Sequence, residues 1–159
     1  MSRRFHALLF LLTLALSPCL HASGKADSKA AISFHLETEA SDNPKMIFPQ
    51  MANGKTRYFR RMPEVTTKDI ASFRSFPSDT GGDDYGVIFS LKENAAKRLA
   101  AITNVAQGKY LISRINGQVN DGVLIDKQID DGYLVIWRGI TLAGIKGIEK
   151  SIPLTGQNK

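Results

Sequence analysis

Few side chains in this chain are able to do chemistry, and their scarcity is informative. The 159 residues include three histidines and one cysteine. His6, Cys19 and His21 all precede Ser23, so His35 is the one imidazole beyond that point. A Ser-His-Asp relay would have to be built on it. A zinc site of the usual imidazole and thiolate ligands would lack a second donor. His35 lies between Phe34 and Leu36 in an alternating run. That spacing predicts a place on the solvent face of a strand rather than a catalytic role.

Carboxylates are the other candidates. Asp121, Asp126, Asp130 and Asp131 crowd one stretch, and Asp83 and Asp84 another. Paired carboxylates can do acid-base work or hold calcium. Their spacing is not that of an EF-hand loop, and each cluster adjoins a glycine turn, where Asp is favoured by backbone geometry alone. The chain has no GxxxxGK[ST] loop, no GxGxxG and no GxSxG elbow. No cofactor and no metal is therefore expected. Arg57-Tyr58-Phe59-Arg60-Arg61 is the one basic-aromatic cluster. Such clusters can grip single-stranded nucleic acid or acidic sugars. They also occur on edge strands that arginines keep from pairing, and this second reading is preferred.

The N-terminal segment decides the compartment. Arg3 and Arg4 precede an apolar run from Phe5 to Leu16, and Ser17-Pro18 and then Leu20-His21-Ala22 follow. A positive start, a short apolar core and a small-residue site make a secretory signal peptide. The run falls short of the roughly 20 residues that span a bilayer. Residues 1–22 are read as the signal, 23–30 as a flexible leader, 31–155 as one domain and 156–159 as a tail. Leu16-Ser17-Pro18-Cys19 leaves a lipid-anchored alternative through Cys19. The formal net charge of +6 falls by two without Arg3 and Arg4, which leaves a mildly basic domain. No later run approaches spanning length. The expected destination is the periplasm or the medium, and nucleic acid is not an expected partner.

The elements that would position these residues are legible in outline. Ile32–Thr38 alternates as a strand. Met46–Met51 and Thr56–Met62 form a hairpin around Asn53-Gly54. Thr66-Thr67-Lys68-Asp69 starts a short helix that stops before Phe76-Pro77. A glycine-rich loop over residues 78–86 and a strand at Val87–Phe89 follow. Ser90-Leu91-Lys92-Glu93 reads as a capping box. It opens a long helix with the stripe Leu91, Ala95, Leu99, Ile102 and Ala106, closed by Gly108. Three strands then meander through Asn116-Gly117, an Asp121-Gly122 kink and Asp131-Gly132. Tyr133–Trp137 lacks polar alternation and is expected to be central, covered on both faces. Thr141 caps a last helix that Pro153 stops. The fold class is α+β: a small, mostly antiparallel sheet with a long capped helix and a C-terminal helix on one face.

From Tyr58 to the last helix the chain resembles the head subdomain of the first periplasmic domain of SecD, a subunit of the bacterial protein-export machinery. The likeness is carried by Tyr58–Asp69, by Val87–Leu91 with Ala95-Ala96, by Thr103 with Gly108-Lys109, by Asn116–Ile125 with Ile129 and Gly132, and by Gly139-Ile140-Thr141. Asp121-Gly122-Val123 departs from it, standing where that family has a small residue and then proline. The resemblance implies a fold and a compartment. It does not imply translocase activity, which in that family uses transmembrane helices. The function expected is that of an exported, non-catalytic binding domain for a polypeptide or an envelope protein. Its contact residues would be Arg57, Tyr58, Arg60 and Arg61, with Asp121 and Asp126 in the hairpin, and an open sheet edge could add a strand. The alternatives are a carboxylate-dependent envelope hydrolase and a lipid-anchored surface protein.

Overall fold

The computed structural model describes residues 29–156. The expected signal peptide, Cys19 and most of the expected leader lie outside the described residues. Two antiparallel sheets and two helices share one core. The strands are β1 (Ile32–Thr38), β2 (Ile47–Ala52), β3 (Lys55–Arg60), β4 (Val65–Thr66), β5 (Ile70–Pro77), β6 (Tyr85–Leu91), β7 (Tyr110–Ile115), β8 (Gln118–Leu124) and β9 (Tyr133–Ile140). The helices are α1 (Glu93–Val105) and α2 (Leu142–Glu149). The first sheet runs β2-β3-β1-β7-β8, with β4 also paired to β1, and the second runs β5-β6-β9.

Hairpin turns form where the sequence places them. Asn53 and Asn116 have φ of 49° and 52°, and the glycines after them 70° and 82°. This is the left-handed pair that a two-residue hairpin turn requires. Phe34, Phe73 and Phe89 meet in the core, with Phe34 edge-on to Phe89 at 6.0 Å and Phe73 at 6.5 Å from it. Ala95 and Leu99 of α1 and Ile145 and Ile148 of α2 close over them. Thr103 is fully buried. Its hydroxyl donates to the Leu99 carbonyl at 2.9 Å and accepts from the Ile129 amide at 2.9 Å. It thus ties the segment after β8 to α1. Thr141 caps α2 as expected, accepting from the Gly144 amide at 3.2 Å. Ala30, assigned to the leader, is buried and donates to the Gly147 carbonyl at 3.2 Å.

Four local expectations are corrected. The Thr66–Asp69 cap is real, for Asp69 accepts from both the Thr66 amide and its hydroxyl at 2.8 Å. It closes only a single 3-10 turn, Thr67–Asp69, and β5 follows at once. Ile70 and Phe73 gain more from pairing with β6 than a short helix could offer. The second cap, at Ser90, does not form. Ser90 stays in β6 between Ser72 and Tyr133, and Lys92 becomes the N-cap without a side-chain bond. The third correction concerns the meander. β9 leaves β8 after Asp131-Gly132 and pairs with β6 in the other sheet. Lastly, β9 is an edge strand covered on one face. Leu134 and Ile136 are buried, whereas Tyr133 and Trp137 are 50% and 58% exposed.

Candidate functional site

The basic-aromatic cluster is largely committed to structure. β3 is an inner strand between β2 and β1 and not an edge. Arg57 donates through Nη1 to Glu37 Oε1 at 2.7 Å and stacks 4.3 Å over the Tyr110 ring. The other Glu37 oxygen accepts from the Tyr110 amide at 2.8 Å. Tyr58 is half-buried, cross-strand from Pro49 and Thr38. Arg60 reaches Glu64 at 3.2 Å. Arg61 is exposed, its amide tied to the Met46 carbonyl at 2.8 Å. The cluster is therefore divided: Arg57 holds the sheet together, and Arg60 and Arg61 face outward.

His35 is the larger surprise, for it is only 4% exposed. Phe48 of β2 and the fully buried Phe59 of β3 lie in register with Glu37 of β1, on the same face as His35. Phe48 meets His35 edge-on at 5.4 Å and lies 5.0 Å beneath the Arg114 guanidinium of β7. His35 Nδ1 bonds the Arg60 carbonyl at 2.8 Å and Nε2 the Ser33 hydroxyl at 2.9 Å. Burial pushes its pKa below the usual histidine value, with Arg114 adding to the fall and the Arg60 carbonyl and Glu64 opposing it. Both ring nitrogens are spoken for, so His35 acts as a packing residue.

The aspartates behave as fasteners. β8 bulges at Asn120, where the register against β7 shifts. The bulge turns two side chains toward β9. Asp121 Oδ2 accepts from the Trp137 amide at 3.0 Å and Oδ1 from the Gly122 amide at 2.8 Å. Asn120 donates to the Gly139 carbonyl at 3.2 Å. Asp84 takes the Gly139 amide at 2.5 Å and the hydroxyls of Ser78 and Thr80. The Thr80 hydroxyl, then that of Ser78 and the Gly139 amide, hold its pKa at about 2. Asp83 accepts from the Leu142 amide at 2.8 Å, at the start of α2, and Asp131 from the Tyr133 amide at 3.0 Å. Asp126 is exposed and joins none of these bonds. Asp121 and Asp126 thus do not form a pair.

These contacts also settle the sheet edges. The first sheet ends in β2 and β8, the second in β5 and β9. On β2, Ala52, Gln50 and Phe48 are the hydrogen-bonded partners of β3 on either side of a two-residue turn. Pro49 falls between them, so the amide it lacks would have faced outward. The outer edge of β5 is taken by the C-terminal segment: Phe73 donates to the Pro153 carbonyl at 3.1 Å and accepts from the Thr155 amide at 2.8 Å. The Tyr133, Trp137 and Gly139 amides of β9 end on carboxylates, and the β8 bulge reaches to β9. Natural sheets blunt their edges in such ways, and strand addition is poorly served here.

What remains open is a face. The outer side of the second sheet carries cross-strand rows of Ser72, Ser90 and Tyr133, then Arg74, Ile88 and Val135; Phe76 then pairs with Gly86, and Trp137 lies beside them where the register of β9 against β6 shifts. Phe76 stands edge-on to Trp137 at 6.1 Å. Gly86 is required in this row, because a Cβ there would lie 2.2 Å from the Phe76 ring and 2.7 Å from the Trp137 carbonyl oxygen. Two clefts open on this face. One of about 400 Å³ is lined by Ile88, Tyr133 and Val135. The other, of about 350 Å³, is lined by Phe76, Trp137, Asp121 and Arg138. Sequence reasoning missed this surface because Tyr133–Trp137 reads as continuously apolar. The available signal was Gly86, a bare position opposite aromatic residues. Among the described residues no helix is long and apolar enough to cross a membrane.

The order of strands and helices can now be set beside known folds. A solved structure of SecDF, described as a membrane component that enhances protein export, matches 83% of this chain and 69% of its own, with a TM-score of 0.53 and 16% identity. A crystal structure of SecDF in a super-membrane-facing form matches 80% of this chain and 20% of its own, with a TM-score of 0.54 and 18% identity. The fold is SecD-like. At this identity the likeness is one of fold. No protein-family model matches the sequence, and no characterised protein matches it closely enough in sequence to add to this. The SecD-like fold agrees with the resemblance read from Tyr58 onward.

Proposed function

We propose that this SecD-like domain is an exported, non-catalytic binding module that holds extended polypeptide during or after export, with the outer face of the second sheet as its contact surface. The single observation that carries the reading is the exposed pair Tyr133 and Trp137, with half-buried Val135, Ile88 and Phe76 beside them, on a sheet face that neither helix covers. A contiguous apolar face of this kind on a small domain marks an interaction surface. Tyr and Trp are also the side chains that dominate binding energy at interfaces. An extended chain laid across the face would contribute apolar side chains to the two clefts, with Arg74 and Arg138 at their margins. The SecDF likeness supports a setting in protein export. The non-catalytic part of the reading is supported by Asp83, Asp84, Asp121 and Asp131, whose carboxylates accept main-chain amides.

Trp137 is the sole tryptophan of the chain, so its emission reports on this face directly. Titration with an unfolded, apolar-rich polypeptide should move that emission to the blue and saturate. Replacing Trp137 with Ala should weaken binding of a labelled peptide by roughly 30-fold, the effect of losing one aromatic anchor. Peptide binding unchanged by both Trp137→Ala and Tyr133→Ser would remove this surface from consideration.

A further inference from the structure

A second exposed surface lies at the β2 end of the first sheet and carries a different chemistry. Besides Met1, the chain has three methionines, Met46, Met51 and Met62, all in or beside the β2–β3 hairpin. Met46 and Met62 are 53% and 66% exposed. They line one cleft of about 350 Å³ together with Ile47 and Arg60. Met62 and Arg60 also line the neighbouring cleft of about 640 Å³, beside Pro63, Lys68 and Arg98. The two clefts thus form one surface with Met62 as the ridge between them.

The charge of this surface is net positive. Glu64 and Asp69 are paired with Arg60 and Arg98, and Asp42, which accepts from the Thr38 hydroxyl, is, among the described residues, the one carboxylate of the two clefts without an ion pair. The cations Lys45, Arg61 and Lys68 flank the methionines and, among the described residues, join none of the five ion pairs. Flexible apolar tips ringed by three cations, Lys45, Arg61 and Lys68, against the single unpaired carboxylate of Asp42 complement an anionic bilayer surface. The thioether side chains can enter the interface while lysine and arginine engage the headgroups. We infer that the Met46–Met62 surface docks the domain onto an anionic phospholipid membrane. This surface is separate from the Trp137 face, so the domain could lie on a membrane and hold a polypeptide at once.

The test is co-sedimentation of the purified protein with vesicles of phosphatidylglycerol and phosphatidylcholine, compared with vesicles of phosphatidylcholine alone. Every variant keeps the same N-terminus, so differences between variants report on this surface only. The protein should bind the anionic vesicles and be released by salt, because the attraction acts within a Debye length of roughly 10 Å. Lys45→Gln and Arg61→Gln should each lower the partition about fivefold, and Met46→Ser with Met62→Ser about tenfold. All four positions are exposed, so melting temperatures should stay at the parent value. Equal binding to both vesicle types, binding unchanged in the variants, or capture of an acidic peptide in place of vesicles would each overturn the inference.

Discussion

Asp121 provides a sharp separation between holding the fold and binding a partner. Its carboxylate sits at the β8 bulge and accepts amides from Trp137 in β9 and Gly122 in its own strand, at 3.0 and 2.8 Å. Replacing Asp121 with Ala leaves the Trp137 amide unpaired on an edge facing β8. Hydrogen bonds to charged groups contribute about 1.5–3 kcal/mol each in net terms. Asp121 is partly exposed and water can replace one of the two partners, which places the loss at about 2 kcal/mol. For a domain of this size that corresponds to roughly 6–8 °C in melting temperature. Asp121→Asn keeps one acceptor and should lose about half as much. Asp126→Ala, which breaks nothing, should melt with the parent. Thermal unfolding followed by circular dichroism gives the three values. At a temperature where all variants are folded, peptide affinity should be unchanged in Asp126→Ala, which lines neither cleft. A parent-like melting temperature for Asp121→Ala, accompanied by loss of peptide binding, would show that Asp121 contacts the partner and would refute its role as a fastener.

Other consequences follow from single contacts. Thr103→Val removes a buried hydroxyl that serves both the Leu99 carbonyl and the Ile129 amide, and should cost about 1–3 kcal/mol in denaturant unfolding. Gly86→Ala forces a Cβ into the Phe76 ring; it should destabilise by about 2 kcal/mol or more and shift Trp137 emission even without ligand. Because the folded His35 pKa is lowered, the unfolded chain binds the extra proton first as pH falls. The His35 contribution to stability is therefore full above the unfolded value of about 6.5 and declines as pH drops from there through the folded pKa. His35→Gln should flatten that part of the stability-pH profile, and an unchanged slope would exclude His35 as its source.

Some of this architecture was legible in the residues alone. Asn53-Gly54 and Asn116-Gly117 announce their turns because few other pairs tolerate two positive φ angles in succession. The stripe on α1 and the Thr141 cap are local patterns with local causes. The failures have long-range causes. His35 alternates with Phe34 and Leu36 just as an exposed residue would, and only neighbours from other strands, Phe48, Phe59 and Ile112, make that second face buried. Tyr133–Trp137 is apolar throughout, yet half of it faces outward, which periodicity cannot distinguish from a doubly covered strand. Ser90 satisfies a capping pattern but is held by strands on both sides. At the candidate site, the aspartates read as turn residues; Asp131 does accept from the amide two residues on, whereas Asp83, Asp84 and Asp121 fasten amides distant in sequence, which turn chemistry does not announce. Arg57 was not separable from Arg60 and Arg61, since its partners Glu37 and Tyr110 lie on other strands.

The most direct test of the account is the emission of Trp137 during titration with an unfolded, apolar-rich polypeptide whose own binding is followed in parallel by the anisotropy of a label. A saturable blue shift with the same midpoint as the anisotropy change is the predicted result. Anisotropy that rises while Trp137 emission stays constant, or no binding by either signal, would contradict the assignment of this sheet face as the polypeptide-binding surface.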